Sequence, residues 1–241
     1  MRIAQTLTSL ALLGSLARPA ASAGPPDPAH SAVPRYVRVV GTSYGIPDPT
    51  GKYTVVVRDA AGVVCPDVPV TLDFFACTDT RLAIIQTPDA RLLCANDAIT
   101  VVTNALGEAT FTVVGASNAF PCGSPMCPPG PGAGCVRVCA GGVPLGNATA
   151  VVYDLDGVSR GAENGINVLD IDYVRNEIAC ANLGGPYKGR IDYNMDGIIN
   201  AADLATYRAL VLTPAMLDSG SRQGSAGTAF CTGPFVPFSC P

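Results

Sequence analysis

Tryptophan is absent from this 241-residue chain, histidine occurs once, and glutamate occurs three times. A serine triad needs a histidine base, and the single His30 lies in a proline-rich stretch with no Gly-x-Ser-x-Gly motif elsewhere. Without an indole to stack on sugar rings, carbohydrate recognition would rest on tyrosine. Lys and Arg number 15 against 19 Asp and Glu, with no basic cluster. That excludes nucleic acid and anionic lipid as natural partners. No Cys-x-x-Cys pair occurs, so the cysteines do not spell a zinc site. Beyond the first residues no long uncharged apolar stretch remains, so no membrane span is expected. A glycosidase needs two carboxylates flanking a cleft. Asp59, Asp67, Asp73, Asp89, Asp97 and Glu108 sit mostly in turn sequences, where Asp is favoured for backbone reasons alone. The chain reads as non-catalytic.

What is present begins with residues 1–23. Arg2 gives a positive start, Ile3 to Leu16 a mostly apolar run, and Ala21-Ser22-Ala23 a small-residue cleavage site before Gly24. This is the pattern of a secretory signal peptide. Ten cysteines, an even number, suit an oxidising compartment and predict disulfides with no free thiol. Connectivity is not legible in the spacing; local loops such as Cys122–Cys127 and Cys231–Cys240 are the short options. Localisation is therefore expected to be secreted, extracellular or attached to a bacterial cell surface.

Residues 24–34 (GPPDPAHSAVP) read as a linker. From 35 to 153 the chain alternates short Val- and Thr-rich runs with Gly, Pro, Asn and Asp turns, which predicts an antiparallel β-sandwich. Asp59-Ala-Ala-Gly62 is one turn; Asn104-Ala-Leu-Gly107 is another, expected to join ITVVT to EATFTVV as a hairpin. The alternation places Val55, Val57, Val70, Leu72, Phe74, Phe111 and Val113 on one buried face. VVVRDAAGVVCPDVPVTLDF followed by VTNALGEATFTV resembles bacterial Ig-like domains of the invasin type. That resemblance implies a spacer or adhesive stalk without catalytic residues.

Acidity is concentrated further on: nine of the 19 acids fall between Asp154 and Asp203. In Asp192-Tyr-Asn-Met-Asp-Gly-Ile-Ile-Asn-Ala-Ala-Asp203, oxygen-bearing side chains occupy loop positions 1, 3, 5, 9 and 12, with glycine at 6. Ca2+ takes six to eight hard oxygen ligands at about 2.3–2.6 Å, and this spacing wraps them round one point. Asp192, Asn194 and Asp196 supply side chains, Ile198 its carbonyl, Asn200 a ligand either direct or through water, and Asp203 closes the shell in place of the usual glutamate. Ile199 points into the core. The pattern recurs 33 residues upstream, with Ile166, Asn167 and Asp170 matching Ile199, Asn200 and Asp203. Ile171, Val174 and Ile178 then match Leu204, Tyr207 and Val211 on one face of a short helix.

This duplicated loop–helix unit, residues 154–212, resembles a dockerin module, the calcium-dependent plug that docks into cohesin domains. The resemblance implies that Val168-Leu169 and Ala201-Ala202, backed by Arg175 and Arg208, read the partner. Loop one departs from the family: counting back from Asp170 puts Ser159 and Gly161 at positions 1 and 3, with Glu163 at 5. Asp154 and Asp156 lie five residues early, so 157–161 is read as an insertion. Asp154, Asp156, the Gly165 carbonyl, Asn167 and Asp170 form the weaker or degenerate second site, and loop two the tight one. Residues 213–241 read as a Cys-containing tail. Three readings stand: a docking module on an Ig-like spacer, with a cohesin-like protein as partner; an extracellular structural protein in which calcium only stabilises the C-terminal module; and, without motif support, a carbohydrate-binding, polysaccharide-associated sandwich.

Overall fold

Valine-rich alternation produces strands whose inward residues are wholly buried. The computed structural model describes residues 23–43, 46–117, 134–155, 166, 168–184, 187–211, 229–237 and 240. The fold is mainly β. Its strands are β1 (Tyr36–Val40), β2 (Thr42–Ser43), β3 (Ile46–Pro47), β4 (Lys52–Val56), β5 (Pro69–Asp73), β6 (Thr80–Leu82), β7 (Arg91–Leu93), β8 (Ala98–Val102), β9 (Glu108–Ser117), β10 (Val136–Ala140) and β11 (Val143–Val152). Two helices follow, α1 (Val168–Asn182) and α2 (Ala201–Val211). No helix among the described residues is long and apolar enough to cross a membrane.

The sheet runs β4-β9-β1-β11-β10-β5-β8-β7, with β6 added to the far half of β9. Pairing is antiparallel except at β1, which lies parallel to both β9 and β11. The expected all-antiparallel arrangement is corrected there: β1 joins two antiparallel halves by pairing Val39 with Val113 on one side and with Val152 on the other. The seven residues from Val55 to Val113 named above are all fully buried, in one core that also takes Val37, Val39, Val138 and Val151. Thr71 and Asp73 of β5, on the opposite face, are also covered. Their strand is central, between β10 and β8, and Arg137 closes over Asp73 at 2.8 Å.

Both expected turns form, by side-chain capture of backbone N–H groups. Asp59 Oδ1 accepts from Ala61 and Val63, and Asn104 Oδ1 from Leu106 and Glu108. The second turn does not make a hairpin. β8 pairs with β5 and β7, whereas β9 pairs with β4, β1 and β6. The chain therefore crosses from one half of the sheet to the other at Gly107, whose φ of 72° needs glycine's freedom.

Two segments of unassuming composition are tied to the β region. Residues 24–34, read as a linker, lie along the continuation of β4: Pro26 bridges Asp59, Ala32 bridges Val56, and Ser31 caps Arg58. Residues 229–237 of the tail return to β6, with Phe230 bridging Ala83 and Cys231 N–H bonding Leu82. Disulfides Cys94–Cys231 and Cys139–Cys240 hold this return, and Cys77–Cys135 crosses the β region. The short Cys231–Cys240 loop is thus replaced by two long-range bonds. Cys122 and Cys127 lie outside the described residues. Cys65 is free and buried, which corrects the expectation of no free thiol; at 1% exposure it sits among Val57, Val70 and other core residues as a small apolar group.

Candidate calcium centre

The helices rest against the end of the β region through polar as well as apolar contacts. Val174, Ile191, Tyr193 and Tyr207 belong to the same core as the strands. Tyr193 Oη donates to the Val152 carbonyl and Tyr207 Oη to that of Tyr153, both at 2.8 Å. Gly189, in the 3-10 turn Gly189–Ile191, lies so close to β11 that a Cβ there would overlap the Thr149 methyl group. Beside it Arg190 donates to Asp79 and, at 2.7 Å, to Glu177, while Lys188 reaches Glu177 at 2.8 Å. All four side chains are buried. Burial works to lower the Arg190 pKa, but the facing Asp79 and Glu177 carboxylates raise it overall, so the guanidinium stays charged. Two cations and two anions cancel inside the seam.

Loop two grows out of this seam. Asp192 and Asp203, its first and last positions, are both fully buried. Asp192 Oδ2 accepts from Gly197 N–H at 2.9 Å and from two phenols, Tyr187 at 2.7 Å and Tyr36 of β1 at 3.2 Å. Its Oδ1 accepts from Asp196 N–H. Burial and then the Asp192 carboxylate push the Tyr36 and Tyr187 phenols up, so both remain protonated donors. Gly197 has φ 87° and Met195 φ 63°; these left-handed residues make the sharp turn. Ile199 is buried, as the spacing predicts, and Ile198 is exposed.

The end of the loop is also the start of α2. Asn200 Oδ1 accepts from Ala202 N–H at 2.7 Å, and Asp203 Oδ2 from Asn200 N–H at 2.8 Å. That is a reciprocal capping box. The other Asp203 oxygen accepts from Asn194 N–H at 3.3 Å. Burial raises the Asp203 pKa; the Asn200 and Asn194 N–H groups oppose the rise, and Asp192 and Asp196 add to it. Asp196 itself is exposed and turned onto its own loop, Oδ1 toward Ile198 N–H and Oδ2 toward the Asn194 amide. Among the described residues, no group of three or more His, Cys, Asp or Glu side chains gathers tightly enough to hold a metal ion. The donor set nevertheless fits a hard cation in its chemistry: all oxygen, two carboxylates buried at opposite ends of one turn, and a third beside them.

Loop one is described only in part. Asp156, Gly165 and Asn167 lie outside the described residues. Asp154 and Asp170 are fully buried, and the structure brings their neighbourhoods together: Leu155 N–H donates to Asp170 Oδ1 at 2.7 Å. Asp170 thus holds the segment after β11 as Asp203 holds Asn194. Val168, Arg175, Ala201, Ala202 and Arg208, the positions implied to read a partner, are exposed, and Leu169 is half-buried.

Tyr36, Tyr187, Arg190 and the buried pairing of Glu177 were not singled out from sequence. One signal existed. Glu177 falls at i+7 from Asp170 and i+3 from Val174, on the helix face that must be buried, and a charge there demands a partner. No family model, no curated protein and no solved structure matches the chain.

Proposed function

We propose that this is an exported, non-catalytic protein in which a dockerin-like calcium module, carried on an Ig-like β-sandwich, presents two short helices to a protein partner of the cohesin type. The observation that supports it most is the pair Asp192 and Asp203, eleven positions apart, buried at either end of a turn centred on Gly197. Ca2+ would neutralise Asp192, Asp196 and Asp203 and fix the loop at the start of α2. The chain's own residues do the rest. Tyr36 and Tyr187 aim Asp192, and Asn200 with Asp203 starts the helix. The exposed Val168, Ala201 and Ala202, flanked by Arg175 and Arg208, offer a mostly apolar face with a basic margin.

A second reading has its own support. The Arg190–Asp79–Glu177–Lys188 cluster and the tyrosine anchors fasten the module to the β region, as a purely stabilising calcium site would require. Calcium titration by calorimetry on the full chain tests both. Asp192→Ala should remove the tight site, and Asp154→Ala only a weaker step; the reverse order would make loop one the main site. Immobilised cohesin domains should retain the chain in calcium and release it on chelation. Calcium binding without retention favours the stabilising role, and no calcium binding at all ends both readings.

A further inference from the structure

Among the described residues, Gly24, which follows Ala21-Ser22-Ala23, is the first to meet the β region through a polar group. Its backbone nitrogen lies 2.9 Å from Asp59 Oδ2. Asp59 is only 7% exposed, and its Oδ1 is held by Ala61 and Val63 N–H groups, both at 2.9 Å, so the carboxylate cannot swing away. Among the described residues no Lys, Arg or His side chain forms an ion pair with it. Two cations nearby in sequence are engaged elsewhere: Arg58 donates to the Gly62 carbonyl, and His30 faces Asp27. The segment after Gly24 is fastened at Pro26 and by Asp27 N–H on the Arg58 carbonyl, and the Gly24 carbonyl accepts from the buried Cys65 thiol at 3.7 Å.

While Ala23 precedes it, Gly24 offers Asp59 a neutral amide. Hydrolysis of the Ala23–Gly24 bond consumes one water, leaves a carboxylate on Ala23 and creates an α-ammonium on Gly24 at the same place. We propose that Asp59 is the receptor for this α-ammonium: processing before Gly24 turns an amide hydrogen bond into a charge-assisted ion pair that seats the new N-terminus over Cys65. A carboxylate fixed by two backbone donors, buried and without a cationic side chain, has the position and the charge to take it. The proposal rests on residues 1–23 being a leader, which its test examines separately.

The protein starting at Gly24 is prepared with a free amine and with Nα-acetylation, which keeps the N–H donor and removes the charge. Each form is made with Asp59 and with Asp59→Asn, which keeps the Oδ1 acceptor of the turn. With Asp59, acetylation should lower Tm by about 2–4 °C, the shift an ordinary ion pair gives in a chain of this length. It should also speed native-state alkylation at Cys65, located by peptide mapping, by up to about fivefold. With Asp59→Asn, acetylation should change neither. N-terminal sequencing of the exported chain should read Gly-Pro-Pro-Asp. A different N-terminus overturns the leader and the proposal together. An N-terminus at Gly24 with no effect of acetylation, or an equal effect in both backgrounds, overturns the proposal alone.

Discussion

The β core and the seam beneath the helices are filled differently. The first is closed by Val, Leu and Phe side chains, which need only shape and contact with one another. The second is closed by Arg190, Lys188, Glu177, Asp79 and the hydroxyls of Tyr36, Tyr187, Tyr193 and Tyr207, each of which needs a particular partner at a particular angle. An apolar core tolerates exchange of one hydrocarbon for another of similar volume. A polar seam loses more than a contact when one member goes, because the remaining charges stay buried and uncompensated. The seam is therefore the more specific joint.

The largest expected effect is in the core. Phe111→Ala should cost about 3–5 kcal/mol in chemical denaturation, as for a fully buried aromatic that also meets Tyr53. A loss under about 1 kcal/mol would mean that the core collapses round the gap and is not closely packed. Arg190→Met comes next, at about 3 kcal/mol near neutral pH. It strands Asp79 and leaves Glu177 to Lys188 alone, so adding Asp79→Asn to Arg190→Met should recover part of the loss. Recovery distinguishes stranded charge from lost packing, which removing a second charge would not repair.

A smaller effect tests a polar group inside the β region itself. Burial raises the Asp97 carboxyl to about 6, against the Leu82 N–H and Arg81, which both lower it. Its folded pKa lies above the unfolded value, so the folded state binds the extra proton. Stability should fall by about 2–3 kcal/mol as the pH rises from 4 through 6 and then level off. In Asp97→Asn this part of the pH profile should be flat; an unchanged profile would place the titration elsewhere. The smallest effect is on the surface. Thr54 and Thr110 share a cross-strand hydrogen bond at 3.0 Å in solvent, and Thr54→Ala should shift stability by no more than about 1 kcal/mol. A larger loss would show that outward faces of β4 and β9 are covered after all.

The difference between the two regions is also the difference between what can and cannot be read from sequence. Alternation is a local property, so Val55, Val57, Val70, Leu72, Phe74, Phe111 and Val113 announce their burial within a few residues of chain. The same holds for the Asp59 and Asn104 turns and for the Asp192–Asp203 spacing with Gly197. The seam is made of pairs far apart in sequence: Tyr36 with Asp192 across 156 residues, and Asp79 with Arg190 across 111. Nothing near Asp79 says that it will face an arginine. The Asn104 turn shows the same limit at short range, since its residues specify a reversal of direction but not which strands it serves. The cysteine spacings suggested short loops for the same reason, whereas Cys231 and Cys240 close over 137 and 101 residues. Loop two carries one local ambiguity of its own, because Asn200 and Asp203 are a helix cap by geometry and metal ligands by spacing.

The disulfides that bring the tail back have a mechanical consequence. Cys139–Cys240 and Cys94–Cys231 close covalent rings that contain both helices and the whole Asp192–Asp203 loop. A pull applied between the N-terminal segment and Cys240 crosses from Cys94 or Cys139 directly into the last residues. The load is borne by sulfur–sulfur bonds, and both helices and the Asp192–Asp203 loop lie outside the line of force. Tension transmitted along this chain would reach the β region first and leave the helices unstretched until a disulfide is reduced, which makes the redox state of two bonds the control on how much force the loop can feel.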